Sequence, residues 1–465
     1  MAYTISQSTT GVQGAADDLI YVVTGQSTTP DNFRYVLKIE LDGVEVILLK
    51  QLPNNALSAV FNIKSIVSNY VVQDDNPYQL GAFGLDGTAE TTKQFSVNTS
   101  ALKTFDLIFG YEESSSPTST PVVTYPAGAT EEVKCVNGSF LAPTISSPPL
   151  STVASAYGID NNQALFLSDI APVPNSTQLK TSILYDGSNT QWAALAFLNG
   201  NDVGSANSSY IFVTYYKDRI ELTQSYFTNT STQGGELPAA TLTDAQSLLY
   251  FGCGTANLEA QTTQPLAVPS ATSNTDWTHY DIQFSSAPTL DNTHTSKKYR
   301  FERVTCGKYV TDDQTFSVHW WNSKGGIDNL PLLGKVQEVQ EIKKKDYRTS
   351  GGNGLSANGV GADAYVKQSW MGGKRSTKVH ANTILELTTI GGNPDLLNPM
   401  MRSLLNSERV FLSGNSLFGS SGQSASNGVV QAYVLDTQQK KMTGLNDGAV
   451  SYTLKIEISR RRANP

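Results

Sequence analysis

The sequence predicts an all-β protein built from two to three tandem β-sandwich-like modules, with one short helix in the C-terminal module. Three observations lead there. Apolar residues come in short β-branched or aromatic runs bounded by Gly, Asn, Asp or Pro. Several runs alternate in period two, the pattern of a strand with one buried and one wet face. A length of 465 residues also exceeds what one hydrophobic core serves.

In the first module, residues 1–134, Tyr35–Ile39, Val44–Leu49 and Phe105–Phe109 read as strands, and Ile63–Tyr70 as a short helix. The Ser-, Thr- and Pro-rich segment Ser114–Pro126 closes that module. The turn-rich Leu141–Ser151, with Pro143, Pro148 and Pro149, opens the second, residues 135–306. There Ile211–Tyr216, Tyr280–Phe284 and the alternating Tyr299, Phe301 and Val304 predict strands.

The third module spans residues 307–465. Its apolar run Phe316–Trp321 meets the polar turn Asn322-Ser323-Lys324-Gly325-Gly326. Two tryptophans abutting a Gly-Gly turn predict a crowded β-corner, so Trp320, Trp321, Gly325 and Gly326 are the candidates for fixing the module. His319 beside them is read as a core residue. Gly351–Gly361 reads as a flexible loop and Val429–Leu435 as a strand. The one clear helix is Asn393–Asn406. Asn393 can cap it, Pro394 suits its first position, and Asp395 complements the N-terminal dipole. Leu396, Leu397, Met400, Met401, Leu404 and Leu405 form one apolar stripe at helical spacing.

The Lys308-Tyr309 pair, the strand after it and Trp320-Trp321-Asn322-Ser323-Lys324-Gly325-Gly326-Ile327-Asp328 resemble a family of tailed-bacteriophage virion proteins encoded among tail and neck genes, common in marine and crAss-like phages. Asn32-Phe33-Arg34-Tyr35-Val36 and Phe61-Asn62-Ile63 resemble the family's opening, with Asn62 where the family has Asp. Leu404–Leu412 and Tyr452–Ser459, with Arg460-Arg461-Arg462 after them, resemble its closing strands and basic tail. The resemblance implies a structural protein of the tail, collar or baseplate, assembled in the host cytoplasm into a symmetric ring and joined to other tail, neck or baseplate proteins.

Charge sharpens that expectation. Charged residues make up 16% of the chain, below the roughly 25% of ordinary soluble domains, and Thr, Ser, Asn, Gln and Gly fill the difference. Residues 1–330 carry 16 Lys+Arg against 31 Asp+Glu, a net -15. Residues 331–465 carry 17 against 10, a net +7, which together give the overall -8. A chain so polarised can dock its basic end on an acidic neighbour or on DNA. The candidate electrostatic contacts are Lys343, Lys344, Lys345, Lys374, Arg375, Arg460, Arg461 and Arg462.

Catalytic chemistry finds little support. The histidines, His279, His294, His319 and His380, form no HExxH or H-x₃₋₅-H pattern, so no metal site is expected. Adjacent carboxylates such as Glu112-Glu113, Glu131-Glu132 and Asp312-Asp313 would point to opposite faces of a strand. Gly372-Gly373-Lys374-Arg375 lacks the Ser or Thr that must follow the Lys of a phosphate loop. Cys135, Cys253 and Cys306 are odd in number and far apart, which predicts buried thiols in a reduced compartment. The N-terminus reads without a signal peptide, the Asn-x-Ser/Thr matches imply no glycans, and no apolar run predicts membrane insertion. No enzyme activity and no cofactor are expected. Two alternatives stand beside the structural reading. One is a glycan-gripping adhesin using Tyr215, Tyr216 and Trp277; the other is a tail-associated depolymerase.

Overall fold

The computed structural model describes residues 4–9, 12–25, 30–72, 95–98, 100–139, 166–169, 180–184, 193–199, 210–228, 247–254, 258, 277–285, 296–304, 316–332, 334–349, 373–389, 394–414, 429–436 and 450–458. The chain is an all-β, multi-module protein.

Its first strands are β1 (Thr4–Gln7), β2 (Val12–Gly14), β3 (Ile20–Thr24), β4 (Asp31–Leu41), β5 (Val44–Gln51) and β6 (Ala59–Asn62). Helix α1 (Lys64–Val67), β7 (Phe95–Asn98), β8 (Leu102–Ser114), β9 (Val122–Thr124) and β10 (Thr130–Val136) follow. One sheet runs β1-β3-β6 and the other β2-β10-β8-β4-β5, with β9 also paired to β8. The β4–β5 hairpin closes through Asp42 (φ 53°) and Gly43 (φ 75°), a two-residue turn whose left-handed backbone matches the twist of its strands. Alternation then sorts the side chains. Tyr35, Leu37, Ile39, Phe105, Leu107, Phe109 and Val133 enter a core with Tyr21 and Phe61, while Lys38, Glu40, Asp106 and Glu132 lie on the outer face. Ser114–Pro126 stays within this sheet, because its strand β9 folds back on β8 and β10 then continues the ladder. The expected Ile63–Tyr70 helix is only the single turn α1.

The central strands are β11 (Lys180–Leu184), β12 (Ala194–Asn199), β13 (Tyr210–Lys217), β14 (Ile220–Thr228), β15 (Ser247–Gly252), β16 (His279–Ser285) and β17 (Tyr299–Val304). They form the sheet β11-β17-β16-β13-β14 and a second sheet, β12-β15-β7. Strand β7 thus comes from the N-terminal part of the chain and completes a sheet in the middle of it. Between the sheets lies an aromatic core that includes Phe166, Tyr215, Trp277, Tyr280, Tyr299 and Phe301. Asp281 is buried at this sheet and takes a two-pronged bond from Arg300 at 2.7 and 2.8 Å.

The last strands are β18 (Phe316–Trp321), β19 (Ile327–Leu332), β20 (Val336–Thr349), β21 (Gly373–Thr388), β22 (Val410–Gly414), β23 (Val429–Val434) and β24 (Thr453–Ile458), with helix α2 (Pro394–Asn406) between β21 and β22. They make one seven-stranded sheet in the order β19-β18-β22-β23-β24-β21-β20. Helix α2 covers it through Leu397, Met400, Met401 and Leu404, one face of the predicted stripe. Pro399 is the sixth residue of this helix, past the first four whose N–H groups lack an intrahelical partner, so its missing N–H removes one i→i−4 bond from the second turn.

Candidate functional site

Successive strand residues point to opposite faces, and at the end of β18 this divides the two tryptophans. Trp320 is fully buried in the third core, and its Nε1 donates to Ser403 Oγ of α2 at 2.9 Å. Trp321 faces the other way. It joins a separate apolar cluster with Val12, Leu102 and Val136 from the first part of the chain and Leu167, Ala196 and Tyr250 from the second. Its ring meets that of Tyr250 edge-on at 6.0 Å. One dipeptide therefore anchors its own sheet and the junction of all three.

The turn after it is wedged into the same junction. Asn322 organises it: Oδ1 accepts from the backbone N–H of Lys324 (3.0 Å) and Gly326 (2.9 Å), and Nδ2 donates to the Leu167 carbonyl at 2.9 Å. Gly325 has φ +83°, and a Cβ there would lie 2.0 Å from the Asn137 carbonyl oxygen. A Cβ on Gly326 would lie 1.9 Å from the Leu167 carbonyl oxygen. Both glycines are thus required by backbone that approaches from other parts of the chain.

A polar seam completes the joint. Asp169 accepts from the Ser323 backbone N–H (3.0 Å), Ser323 Oγ (2.8 Å) and Ser403 Oγ (2.5 Å). Asp328 of β19, fully buried, accepts from Ser168 Oγ at 2.5 Å and from the Asp169 backbone N–H at 2.9 Å. Burial, then the charge of Asp169, pushes the Asp328 carboxyl up to about 7. Burial brings neighbouring His319 down to about 4. A cleft of about 790 Å³ opens beside the seam, lined among others by Asn137, Asp169, Asn322, Arg402 and Arg409. Among the described residues no group of three or more His, Cys, Asp or Glu is placed to hold a metal ion. The hydrogen bonds at this seam tie one part of the chain to another, and cohesion is the chemistry the arrangement performs.

The basic candidates occupy a different place. Lys343, Lys344 and Lys345 lie on edge strand β20, and Lys374 and Arg375 on its partner β21. Strand β24 pairs with β21 only over Ile384–Thr388. Beyond that point β20 and β21 run on as a two-stranded hairpin, with Thr383 opposite Gln340 and Gly373 opposite Thr349. Ten residues at about 3.3 Å each carry the arm on the order of 30 Å past the sheet. Residues 337–347 are all exposed, Ile342 and Tyr347 among them. Within the arm Lys374 pairs with Asp346 at 2.8 Å and Lys343 with Glu341 at 3.3 Å. The bond from Lys374, with a second from Ser376 Oγ at 3.0 Å, holds the Asp346 carboxyl below its ordinary range. Arg460, Arg461 and Arg462 lie outside the described residues, as do Cys306, Asp312, Asp313 and the Gly351–Gly361 loop.

The residues behind the two alternative readings are also placed. Tyr215 and Trp277 are buried in the central core, which corrects their assignment as exposed glycan-gripping rings. Tyr216 is half-buried and stacks on His279 at 4.9 Å. Glu112 is buried and paired with Lys50 at 2.6 Å. Gly373-Lys374-Arg375 begins a strand and opens no helix. Cys135 and Cys253 are free, buried thiols, and burial raises both above their ordinary range. Among the described residues no helix is long and apolar enough to cross a membrane.

Asp169, Asn322, Asp328 and Ser403 were not among the residues singled out from sequence. Asn322 and Asp328 stand inside the motif that was, one at each end of the Gly-Gly turn. Asp169 meets Ser323 across 154 residues of chain and Ser403 meets Trp320 across 83, separations no local pattern reports.

No protein-family model matches this chain, and no curated protein matches it. Among solved structures it is matched to a marsupial T cell receptor at 7% identity, over 83% of this chain and 96% of that one, with a TM-score of 0.17. That score carries no argument about fold or function.

Proposed function

We propose that this protein is a structural component of a tailed-phage virion, at the tail, collar or baseplate, which assembles into a symmetric ring through β-rich and electrostatic subunit contacts. The observation that carries the reading is the β20–β21 arm. A two-stranded hairpin is marginal in water by itself, and this one continues for about ten residues per strand with no third strand among the described residues. Both of its edges offer backbone N–H and C=O groups to a neighbour. An arm of that length on a well-packed body is an assembly element. The resemblance at Trp320–Asp328 and at both ends of the chain gives the assembly its context. Other tail, neck or baseplate proteins are its partners in this reading, and the basic C-terminal end is available for DNA contact.

The test is native mass and negative-stain imaging of the purified protein at low and high salt, with a search for the chain in mature particles. A closed ring that loosens as salt rises, together with its presence in particles, supports the reading. A salt-indifferent monomer absent from particles sinks it.

A further inference from the structure

The outer face of the first sheet carries a feature that strand registry makes visible. Glu45 of β5 sits opposite Glu40 of β4, Glu40 opposite Asp106 of β8, and Asp106 opposite Glu132 of β10. Four carboxylates therefore cross four adjacent strands in one row, on the order of 14 Å long at the usual strand spacing. Like charges directly opposite one another destabilise a sheet. Lys38 and Lys134 offset part of the repulsion, at 2.7 Å from Glu40 and 3.0 Å from Glu132. Glu45 and Glu132, at the two ends of the row, are exposed.

The arm has the complementary pattern. Residues 340–349 and 373–383 hold seven Lys+Arg against two acids. The ladder sets Lys345 opposite Lys378 and Arg348 opposite Lys374, so here too like charges occupy directly opposed positions. Two β surfaces, each with its own charge repeated across strands at the same spacing, relieve each other's repulsion when they meet.

We propose that the basic overhang of the β20–β21 arm docks on the Glu45–Glu40–Asp106–Glu132 row of a second copy of this chain. The inference rests on the assembly reading above and gives it a specific contact. The contact is head-to-tail, basic arm on acidic sheet, and a contact between two different patches closes into a ring whenever its rotation closes.

Charge reversal at exposed positions tests it: Lys343→Glu with Lys345→Glu on the arm, Glu45→Lys with Glu132→Lys on the row, and all four together. Association is measured by sedimentation velocity at low and high salt, and thermal melting of each variant confirms that it folds. Each reversed pair is expected to weaken association by roughly tenfold or more at low salt. The fourfold variant is expected to recover it, because the complementarity is inverted and restored.

Three results overturn the proposal in distinguishable ways. A wild-type chain that stays monomeric removes both the ring reading and this contact. A wild-type ring indifferent to both reversals removes the contact alone and leaves the lysines as guards of an exposed strand edge. A ring weakened only by the arm reversal, and not rescued by the fourfold variant, moves the arm's partner to a nucleic acid or another protein.

Discussion

The tryptophan corner and the β20–β21 arm belong to the same seven-stranded sheet, at opposite edges, and they are stabilised in opposite ways. At the corner, β18 and β19 are buried at every position, and the turn between them is held by backbone and side chains from the rest of the chain. On the arm, residues 340–347 are all exposed, and among the described residues each strand's ladder partner is the other strand. Any change at the corner must be absorbed within the monomer. A change on the exposed arm disturbs little of the packing within the monomer. One sheet therefore joins a fully buried edge to an exposed one, and the two ends should respond differently to the same kind of mutation.

The largest effect is expected at Gly326. Its Cβ would fall 1.9 Å from the Leu167 carbonyl oxygen, and backbone there has nowhere to retreat without opening the junction. Gly326→Ala should cost on the order of 3–5 kcal/mol and split the calorimetric unfolding into separate transitions as the parts of the chain decouple. A single unshifted transition would mean that the junction is more pliant than its geometry. Next in size is Trp320→Phe, which removes ring volume from a fully buried site and the hydrogen bond to Ser403. A loss of about 2 kcal/mol in urea unfolding is expected.

Two buried titratable groups near the same corner give a smaller, signed effect. Asp328 has its carboxyl raised to about 7, so its contribution is fully present below its ordinary value of 3.8 and is lost as pH rises through about 7. His319 is lowered to about 4, so its contribution is present above its ordinary value of 6.5 and is lost as pH falls through about 4. Between pH 4 and 6.5 the two slopes oppose each other. Relative to the parent, Asp328→Asn should therefore lose stability as pH falls through that window, and His319→Gln should gain it. Each difference changes by about 1 kcal/mol per pH unit, read from melting curves taken across the window. Parallel curves for parent and variants would show that neither group titrates differently in the fold.

The corner was legible in sequence because its demands are local. A pair of tryptophans before a Gly-Gly turn needs no distant partner to look crowded, and alternation alone says that Trp320 and Trp321 face different ways. Strand runs such as Tyr35–Ile39 and Ile211–Tyr216, and the Leu/Met stripe of α2, were readable for the same reason. What joins distant segments was not. Strand β7 completes a sheet with β15 across some 150 residues, and Asp169 reaches Ser323 and Ser403 from a segment with no pattern of its own. Tyr215 and Trp277 show the converse failure. Their ring chemistry suits a glycan groove, and only the packing of β13 against its neighbours makes them core. The carboxylate row was hidden too, since Glu45, Glu40, Asp106 and Glu132 become neighbours only through cross-strand registry.

The smallest effect on stability is expected on the arm, where it is also the most informative. Ile342 is half exposed and contributes little burial to the monomer, so Ile342→Ser should shift urea unfolding by no more than about 0.5 kcal/mol. Hydrogen exchange separates this silence from irrelevance. In dilute protein, amides of residues 340–349 should exchange far faster than those of β18, because a ladder with one partner and no buried face opens locally without unfolding the sheet. If the chain assembles as proposed, the same amides should slow by tenfold or more at assembling concentrations while β18 stays unchanged, since docking adds partners to the arm and none to β18. Arm amides already protected in the monomer would mean that the hairpin is held by its own chain, and the contrast between the two edges of the sheet would then be one of exposure and not of stability.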